Sequence, residues 1–295
     1  MRSSPRIYLR ALRPKQWTKN LAVYAALLFA KRVFDHRSLL HATLALFAFC
    51  FLAGGIYVLN DWVDRDKDRL HPEKRLRPIA AGLISSRGAL LLWAASWALG
   101  FTLAWSVNRH FFALACGYVV LQIGYSLVLK RMVILDVMII AVGFVMRVVG
   151  GGLAIEVPVS NWLYLCTLLL ALFLGFSKRR HELWSLEGDA AGHRENLSHY
   201  SLPMLDQMTS VVAASCILAY GLYTVAPDTV AKVGSDNLKF TVPVVVYGIF
   251  RYLYLIHKKG AGGSPERVLL SDFPLAVAVL LFVFGSAWAL YSSAA

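Results

Sequence analysis

Four oxygen-bearing side chains recur at helical spacing within one short stretch of the sequence. Asn60, Asp64 and Asp68 are spaced at i, i+4 and i+8, and Asp61 lies at helical distance from the last two. On a helix they share one face, where unpaired carboxylates repel one another. A hard divalent cation removes that repulsion, and Mg²⁺ held by one or two carboxylates plus substrate phosphates is the usual solution. We therefore predict that this acidic motif (Asn60, Asp61, Asp64 and Asp68) holds Mg²⁺.

A solvated loop is the other interpretation of the same stretch. Arg65, Lys67 and Arg69 are interleaved with the acids and would neutralise them in water, and Asp66 fits this interpretation. The other aspartates recur on one face directly after an apolar segment, and ionisable groups at membrane depth are usually functional. Their placement favours the metal site.

Basic residues at two further places are suited to phosphate binding. Lys74, Arg75 and Arg77 closely follow the acidic motif, a spacing at which one phosphate oxygen can bridge a metal ion and a guanidinium. Inner loops of membrane proteins are basic in any case, which weakens this assignment. Lys178 and Glu182 lie within about one helical turn, so a cation and a carboxylate can face the same cleft.

Further candidates for binding an anionic substrate lie near these positions. Two polar regions supply them, one after residue 176 and one around residues 125–136. The candidates are Arg179, Arg194, Tyr200, Tyr125 and Lys130.

The elements that must position these residues are apolar. Of the 295 residues, 58% are hydrophobic and 16% are charged, whereas soluble domains are about half apolar and about a quarter charged. A soluble fold of this composition would expose too much apolar surface, so we predict an all-α polytopic membrane protein. The same composition excludes disordered, collagen-like and disulfide-scaffold classes.

Eight apolar segments approach the ~20 residues that a membrane-spanning helix needs. They are Leu39–Leu59, Gly88–Val107, Phe111–Leu129, Met132–Ile155, Trp162–Phe176, Met208–Ala226, Phe240–Ile256 and Phe273–Tyr291. A ninth, Trp17–Phe34, is marginal because its uninterrupted apolar run is only Leu21–Ala30.

The distribution of charge favours the ninth span. With nine helices and the N-terminus inside, 22 of the 30 Lys and Arg residues lie in inner segments and six in outer ones, in agreement with the positive-inside rule. Without that span, the basic N-terminus and the basic segment 60–87 would face opposite sides of the membrane. We therefore predict nine transmembrane helices with the N-terminus in the cytoplasm.

The chain is predicted to form one domain over residues 1–295, since no linker or internal repeat interrupts it. Residues 1–19 alternate basic and apolar side chains and are predicted to form an interfacial amphipathic helix, and residues 60–87 and 177–206 are predicted cytoplasmic loops that carry the site. The net charge of +13 suits anionic substrates and lipid. No aromatic–basic pattern indicates nucleic acid, and the four isolated cysteines lack metal-binding spacing.

The acidic motif resembles NDxxDxxxD, the first aspartate-rich motif of the UbiA superfamily of intramembrane prenyltransferases. Three more segments are similar to motifs of one branch, the decaprenyl-phosphate phosphoribosyltransferases: Arg13–Asn20 (RPKQWTKN), Lys74–Gly82 (KRLRPIAAG) and Ser177–Leu183 (SKRRHEL). Arg194, Leu197 and Tyr200 follow in that branch's RxxLxxY pattern. The resemblance covers nearly the whole chain. It implies nine helices around a polar cavity that faces the cytoplasm of a bacterial inner membrane.

This resemblance also implies an activity. Members of the branch transfer a 5-phosphoribosyl group from phosphoribosyl diphosphate to a polyprenyl (decaprenyl) phosphate, use Mg²⁺ and release diphosphate, and the lipid product is a pentose donor for cell-wall biosynthesis. Aromatic prenyltransferases of the superfamily carry a second aspartate-rich motif after the sixth span. This chain has basic residues there, which suits a second phosphorylated substrate.

A mechanistic hypothesis built on these residues and on the resemblance assigns roles to individual side chains. Asp61, Asp64, Lys178 and Glu182 are the predicted catalytic residues. The predicted substrate-binding residues are Lys19, Asn20, Lys74, Arg75, Arg77, Tyr125, Lys130, Arg179, Arg194 and Tyr200. Because the acceptor phosphate is already an anion at neutral pH, no strong general base is required, and in-line attack predicts inversion at the anomeric carbon.

Two other functions remain open at this point. A UbiA-type enzyme that prenylates an aromatic acceptor would share the fold and the first motif but would need the missing second one. A transporter would use acids at the bilayer midplane, whereas these acids cluster at the inner surface. Arg147 fits a functional role as well as a structural one with Glu156 or backbone carbonyls, and Asp272 fits a helix N-cap as well as a site residue. The role of Asp136 is also open.

Overall fold

The computed structural model describes residues 5–72, 74–185, 195–260, 263 and 265–292. Within those residues all regular structure is helical, which confirms the predicted all-α class. Eight helices in this part of the chain are long and apolar enough to cross a membrane. They are α3 (His36–Val63), α5 (Ser86–Val107), α6 (Arg109–Leu127), α7 (Leu135–Ala154), α8 (Asn161–Trp184), α9 (Leu202–Val225), α11 (Val242–Lys258) and α13 (Phe273–Tyr291).

Shorter helices connect these spans. The α-helical ones are α1 (Pro5–Ala11), α2 (Tyr24–Phe29), α4 (Arg65–Leu70), α10 (Pro227–Val233) and α12 (Pro265–Ser271). The 3-10 helices are Pro14–Val23, Lys74–Leu76, Leu129–Arg131, Glu195–His199 and Asn237–Thr241. Each of the eight predicted apolar segments coincides with one long helix. The main difference is at α8, which continues past Phe176 to Trp184, so the start of the predicted loop 177–206 is helical.

The predicted ninth span, Trp17–Phe34, is not one long regular helix. The 3-10 helix Pro14–Val23 leads directly into α2. At a rise of about 2.0 Å per 3-10 residue and about 1.5 Å per α residue, these two pieces laid end to end extend about 30 Å. That length matches the hydrocarbon core of a bilayer. The count of nine and the orientation stay predictions.

The N-terminal segment differs from the single interfacial helix predicted for residues 1–19. Helix α1 stops before Arg13, because the residue that precedes a proline is disfavoured in the α conformation. Arg13 instead adopts the left-handed conformation with a φ of 53°, and the 3-10 helix begins at Pro14. Ala11 and Leu12 are buried in an apolar cluster with residues of α3 and α5. The segment therefore packs partly on protein.

The chain groups into two compact units, each with its own apolar core. The first unit comprises Met1–Lys130 and Met146–Pro158, and the second comprises Arg131–Val145 and Val159–Ala295. In the first unit α3 packs along α5, where a Cβ on Gly55 would lie 2.3 Å from Cδ1 of Trp97. Small residues of this kind let membrane helices approach closely. In the second unit α8 packs along α9. The single domain stays a prediction.

Gly151 of α7 lies directly against backbone in the first unit. A Cβ at this position would be 2.1 Å from the carbonyl oxygen of Val23, and backbone cannot move aside as a side-chain tip can. We expect Gly151→Ala to lower the melting temperature of the detergent-solubilised protein, with a loss of about 1–3 kcal/mol. Gly221→Ala in α9, where nothing lies within 4 Å, is the matched control and should not destabilise the protein. Equal melting temperatures for the two variants would contradict this packing.

Candidate active site

Two arginines hold the acidic motif in the first unit. Asp61, at the end of α3, is 2% exposed, and its Oδ1 accepts hydrogen bonds from Nη2 of Arg13 at 2.5 Å and Nη1 of Arg77 at 3.0 Å. The same Nη1 of Arg77 donates to Oδ2 of Asp68 at 2.7 Å. Buried carboxylates need such partners, because burying an unpaired charge is costly. Two acids and two guanidinium groups thus form one cluster with balanced charge.

The helical path of the acidic motif bends at Asp64. Helices α3 and α4 meet there, with φ −89° and ψ 6° at Asp64. Backbone hydrogen bonds from Asp64 to Asn60 and from Asp68 to Asp64 keep the i, i+4 spacing through the bend. In the part of the chain that the structure describes, the half-buried carboxylate of Asp64 makes neither a capping hydrogen bond nor an ion pair. Arg13 and Arg77 therefore hold Asp61 and Asp68 but not the carboxylate of Asp64.

The donor chemistry of the motif fits a hard cation that substrate phosphates complete. Nδ2 of Asn60 donates to Oγ of Ser126 at 3.1 Å, which leaves the amide oxygen as the atom able to bind a cation. No three acidic, histidine or cysteine side chains converge among the described residues. A complete protein cage is not required, because Mg²⁺ commonly takes one or two carboxylates plus phosphates. The metal assignment of the acidic motif stays a prediction.

Arg13 is a residue of this cluster that the sequence reasoning did not single out. Its guanidinium lies 4.7 Å from the centre of the Tyr57 ring as well as against Asp61. Arg13 lies between α1 and the 3-10 helix Pro14–Val23, and its backbone is left-handed at this point. Its place in the sequence could have pointed to it, because Arg13 begins the segment Arg13–Asn20, which is similar to a motif of the family.

A second charged cluster lies in the other unit, where α7 begins and α8 ends. Asp136 is completely buried, and its Oδ2 accepts from Nε of Arg179 at 2.6 Å while its Oδ1 accepts from the Tyr200 hydroxyl at 2.8 Å. Burial raises the pKa of the Tyr200 hydroxyl, so this group stays a hydrogen-bond donor at neutral pH. Arg179 and Tyr200 are themselves buried. Both side chains contact other residues of the protein, and their roles in substrate binding stay predictions.

The predicted catalytic pair Lys178 and Glu182 adjoins this cluster. Nη1 of Arg179 donates to Oε2 of Glu182, and Nζ of Lys178 lies 3.8 Å from Oε1 of the same carboxylate. The side chain of Lys178 is 40% exposed, whereas Arg180 turns to Asp206. Lys178 is thus the most accessible of the three cations at the end of α8.

Asn20 and Arg147 form a buried polar contact in the first unit. Oδ1 of Asn20 accepts from Nε of Arg147 at 2.6 Å, and Nδ2 of Asn20 donates to Sγ of Cys50 at 3.2 Å. Nη2 of Arg147 also donates to the Tyr118 hydroxyl at 2.7 Å. Asn20 is 1% exposed and is bonded to Arg147, and its role as a phosphate contact stays a prediction. Arg147, which the sequence left open, has structural partners.

The remaining predicted residues divide by exposure. Lys74 and Arg75 are exposed in the 3-10 helix Lys74–Leu76, and Lys19, Tyr125 and Lys130 are partly exposed. Arg194 lies outside the described residues.

Asp272 caps α13 by accepting from the backbone N–H of Leu275 at 3.0 Å, and it pairs with Nε and Nη2 of Arg251 at 3.0 and 2.8 Å. The Arg251 guanidinium lowers the pKa of Asp272, as expected for an N-cap in an ion pair.

Eight apolar helices and two clusters of charged residues at helix ends define a polytopic α-helical membrane protein. A family model described as the UbiA prenyltransferase family matches residues 20–273. The chain belongs to the UbiA prenyltransferase family. It is therefore an integral membrane protein and a transferase, as predicted.

Individual relatives agree with this assignment. The chain is 33% identical over 288 residues to decaprenyl-phosphate phosphoribosyltransferase of Corynebacterium glutamicum, covering 96% of this chain and 86% of the relative. It is 30% identical over 294 residues to the protein of the same name from Mycolicibacterium smegmatis, covering 97% and 92%. These similarities confirm the resemblance to that branch.

Solved structures show the same fold. A UbiA homolog from Archaeoglobus fulgidus, bound to GPP and Mg²⁺, superposes with a TM-score of 0.73 at 23% identity, covering 96% of this chain and 99% of that one. A structure of digeranylgeranylglyceryl phosphate synthase superposes with a TM-score of 0.69 at 18% identity, covering 97% and 98%. At these identities the likeness describes the fold alone.

Proposed function

We propose that this enzyme transfers the 5-phosphoribosyl group of phosphoribosyl diphosphate to a polyprenyl phosphate, with Mg²⁺ as its cofactor. The observation that carries the proposal is the basic end of α8, where Lys178 is accessible and Arg179 is held by Asp136. One acidic motif together with one basic group suits two phosphorylated substrates better than two acidic motifs would. The names of the relatives from C. glutamicum and M. smegmatis support the same substrates.

The acidic motif is assigned to phosphoribosyl diphosphate. Its side chains would hold Mg²⁺, which when bound stabilises the negative charge that develops on the departing diphosphate. Arg77 lies on two of these carboxylates and is 30% exposed, so it can offer other N–H groups to phosphate oxygens. Lys74 and Arg75 add exposed cations. Lys178 is assigned to a substrate phosphate, and Glu182 orients its ammonium group.

In the reaction, an oxygen of the acceptor phosphate bonds to the anomeric carbon while the bond from that carbon to the diphosphate oxygen breaks. The ribose ring acquires oxocarbenium character, and attack from the opposite face inverts the configuration. Because the nucleophile is already anionic, the protein supplies neutralisation and orientation rather than a base. Lys19, Lys130 and Tyr125 are assigned to that task. We further propose that the enzyme lies in a bacterial inner membrane and that its active site opens to the cytoplasm. We also propose that the chain forms a single catalytic domain.

The test is a defined reaction with purified protein, Mg²⁺, phosphoribosyl diphosphate and decaprenyl phosphate. We expect a phosphoribosyl lipid and free diphosphate, both lost when EDTA is added. The parallel reaction contains a prenyl diphosphate and an aromatic acceptor, and we expect no product from it. Prenylation of the aromatic compound without formation of the phosphoribosyl lipid would contradict the proposal and favour the aromatic prenyltransferase.

A further inference from the structure

Four charged side chains of the second unit form a chain of contacts from a fully buried carboxylate to an accessible ammonium group. The members of this charge chain are Asp136, Arg179, Glu182 and Lys178. We infer that Asp136 is a positioning residue that sets Lys178 for a phosphate group of one of the two phosphorylated substrates. This inference rests on the proposed function, and it gives a task to an aspartate whose role the sequence left open.

The buried end of the charge chain is fixed in two directions. Each oxygen of Asp136 accepts one side-chain hydrogen bond, from Arg179 of α8 and from Tyr200, which follows the 3-10 helix Glu195–His199. An aspartate with no solvent exposure has no water to replace either donor. Its position in the first turn of α7 is also favourable to a negative charge. The carboxylate therefore defines where the Arg179 guanidinium lies.

Arg179 connects Asp136 to Glu182. Nε of the guanidinium bonds to Asp136 and Nη1 bonds to Glu182. Because the guanidinium is planar and its donors are rigidly arranged, fixing one edge fixes the direction of the other. The second oxygen of Glu182 is 3.8 Å from Nζ of Lys178. The lysine ammonium thus lies at the accessible end of the series, within ion-pair distance of a carboxylate that Arg179 holds.

Backbone conformation near Asp136 is consistent with a constrained site. Ile134 has a φ of 70°, which is unfavourable for a β-branched residue. Its backbone N–H donates to the Tyr200 hydroxyl at 2.6 Å, so the hydroxyl that contacts Asp136 also holds this turn. Strained residues persist where the surrounding contacts over-determine them, and they concentrate at functional sites.

The same unit contains a matched aspartate–arginine pair that lacks this continuation. Asp272 and Arg251 form a two-point ion pair, and Asp272 also caps α13. Like Asp136, Asp272 is a buried aspartate near the start of a long helix. Among the described residues, this ion pair joins Asp272 and Arg251 without a second carboxylate between them and a lysine. A purely stabilising ion pair therefore predicts the same behaviour for both aspartates, and a positioning role predicts different behaviour.

The experiment compares Asp136→Asn, Tyr200→Phe and Asp272→Asn in the phosphoribosyl-transfer assay with wild-type protein alongside. We expect Asp136→Asn to raise KM for one of the two phosphorylated substrates about tenfold, the size of effect seen when a residue that orients a metal ligand is lost, with kcat within about twofold. KM for the other substrate should not change, and the affected KM identifies the phosphate that Lys178 binds. Tyr200→Phe removes one donor and leaves every charge in place, so we expect a smaller rise in the same KM. Asp272→Asn should leave both KM values at the wild-type level.

The outcomes separate the two proposals. If wild-type protein forms no phosphoribosyl lipid, the proposed function is wrong. If wild type is active and Asp136→Asn changes neither KM more than Asp272→Asn does, the positioning role is overturned. If Asp136→Asn does not fold, Tyr200→Phe decides: a raised KM supports the role, and an unchanged KM overturns it.

Discussion

Asp64→Asn should abolish phosphoribosyl transfer while leaving the fold intact. An amide oxygen keeps the shape of the carboxylate but loses the charge that would hold Mg²⁺, so we expect kcat/KM to fall about 1,000-fold, or about 4 kcal/mol of transition-state stabilisation. The fold should tolerate this change because Asp64 forms no ion pair among the residues described. Initial rates at saturating Mg²⁺ and melting temperatures in detergent measure the two effects separately.

Asp66→Asn is the control for this prediction. Asp66 lies two residues further along, its side chain is 71% exposed, and it pairs with Arg65 and Arg69 at the surface. Exposed ion pairs of this kind contribute little, so activity and melting temperature should both stay near wild type. A fully active Asp64→Asn enzyme would refute the metal role. Equal losses in the two variants would point to the net charge of the segment instead.

Arg179→Ala should be strongly destabilising. It leaves the completely buried carboxylate of Asp136 with the Tyr200 hydroxyl but without its cation, and breaking a buried ion pair from one side typically costs about 3–5 kcal/mol. We expect a large drop in melting temperature in detergent. The neighbouring variant Lys178→Ala removes an accessible cation and keeps the Asp136 pair, so its melting temperature should stay close to wild type.

A double replacement provides the reciprocal test. Asp136→Leu combined with Arg179→Met removes both charges together, and apolar replacement of a whole buried pair is often neutral or stabilising. The double variant should therefore melt at a higher temperature than Arg179→Ala. Similar melting temperatures for Arg179→Ala and Lys178→Ala would show that Asp136 does not depend on this guanidinium.

The long helices could be predicted from the sequence because apolar runs of sufficient length have few alternatives to crossing a membrane. Helix ends were harder to predict. Hydropathy falls at Lys178, yet α8 continues to Trp184 because Lys, Arg and Glu are good helix formers. The path of the N-terminal segment was hard to predict for a related reason. Periodicity shows an amphipathic pattern but does not reveal the left-handed residue Arg13 or the 3-10 helix that follows it.

The acidic motif could be proposed because its members lie close together in the sequence. Its partners could not, since ion pairs form between residues that folding brings together. Arg13 is 48 residues from Asp61, and Asp136 is 43 residues from Arg179. Arg179 matched a motif and carried a charge, which suggested substrate binding. Only the three-dimensional structure shows that Nε of Arg179 donates to a buried aspartate.

The ion pair between Arg13 and Asp61 also matters for handling the protein. Arg13 belongs to the segment before the first predicted span, where deletions and affinity tags are usually placed on the assumption that such residues are dispensable. In this enzyme, removing residues up to and including Arg13 would leave Arg77 as the remaining ion-pair partner of Asp61 among the described residues. A C-terminal tag is therefore the better choice for purification, and an inactive N-terminally shortened protein should not be taken as a sign of the wrong substrate.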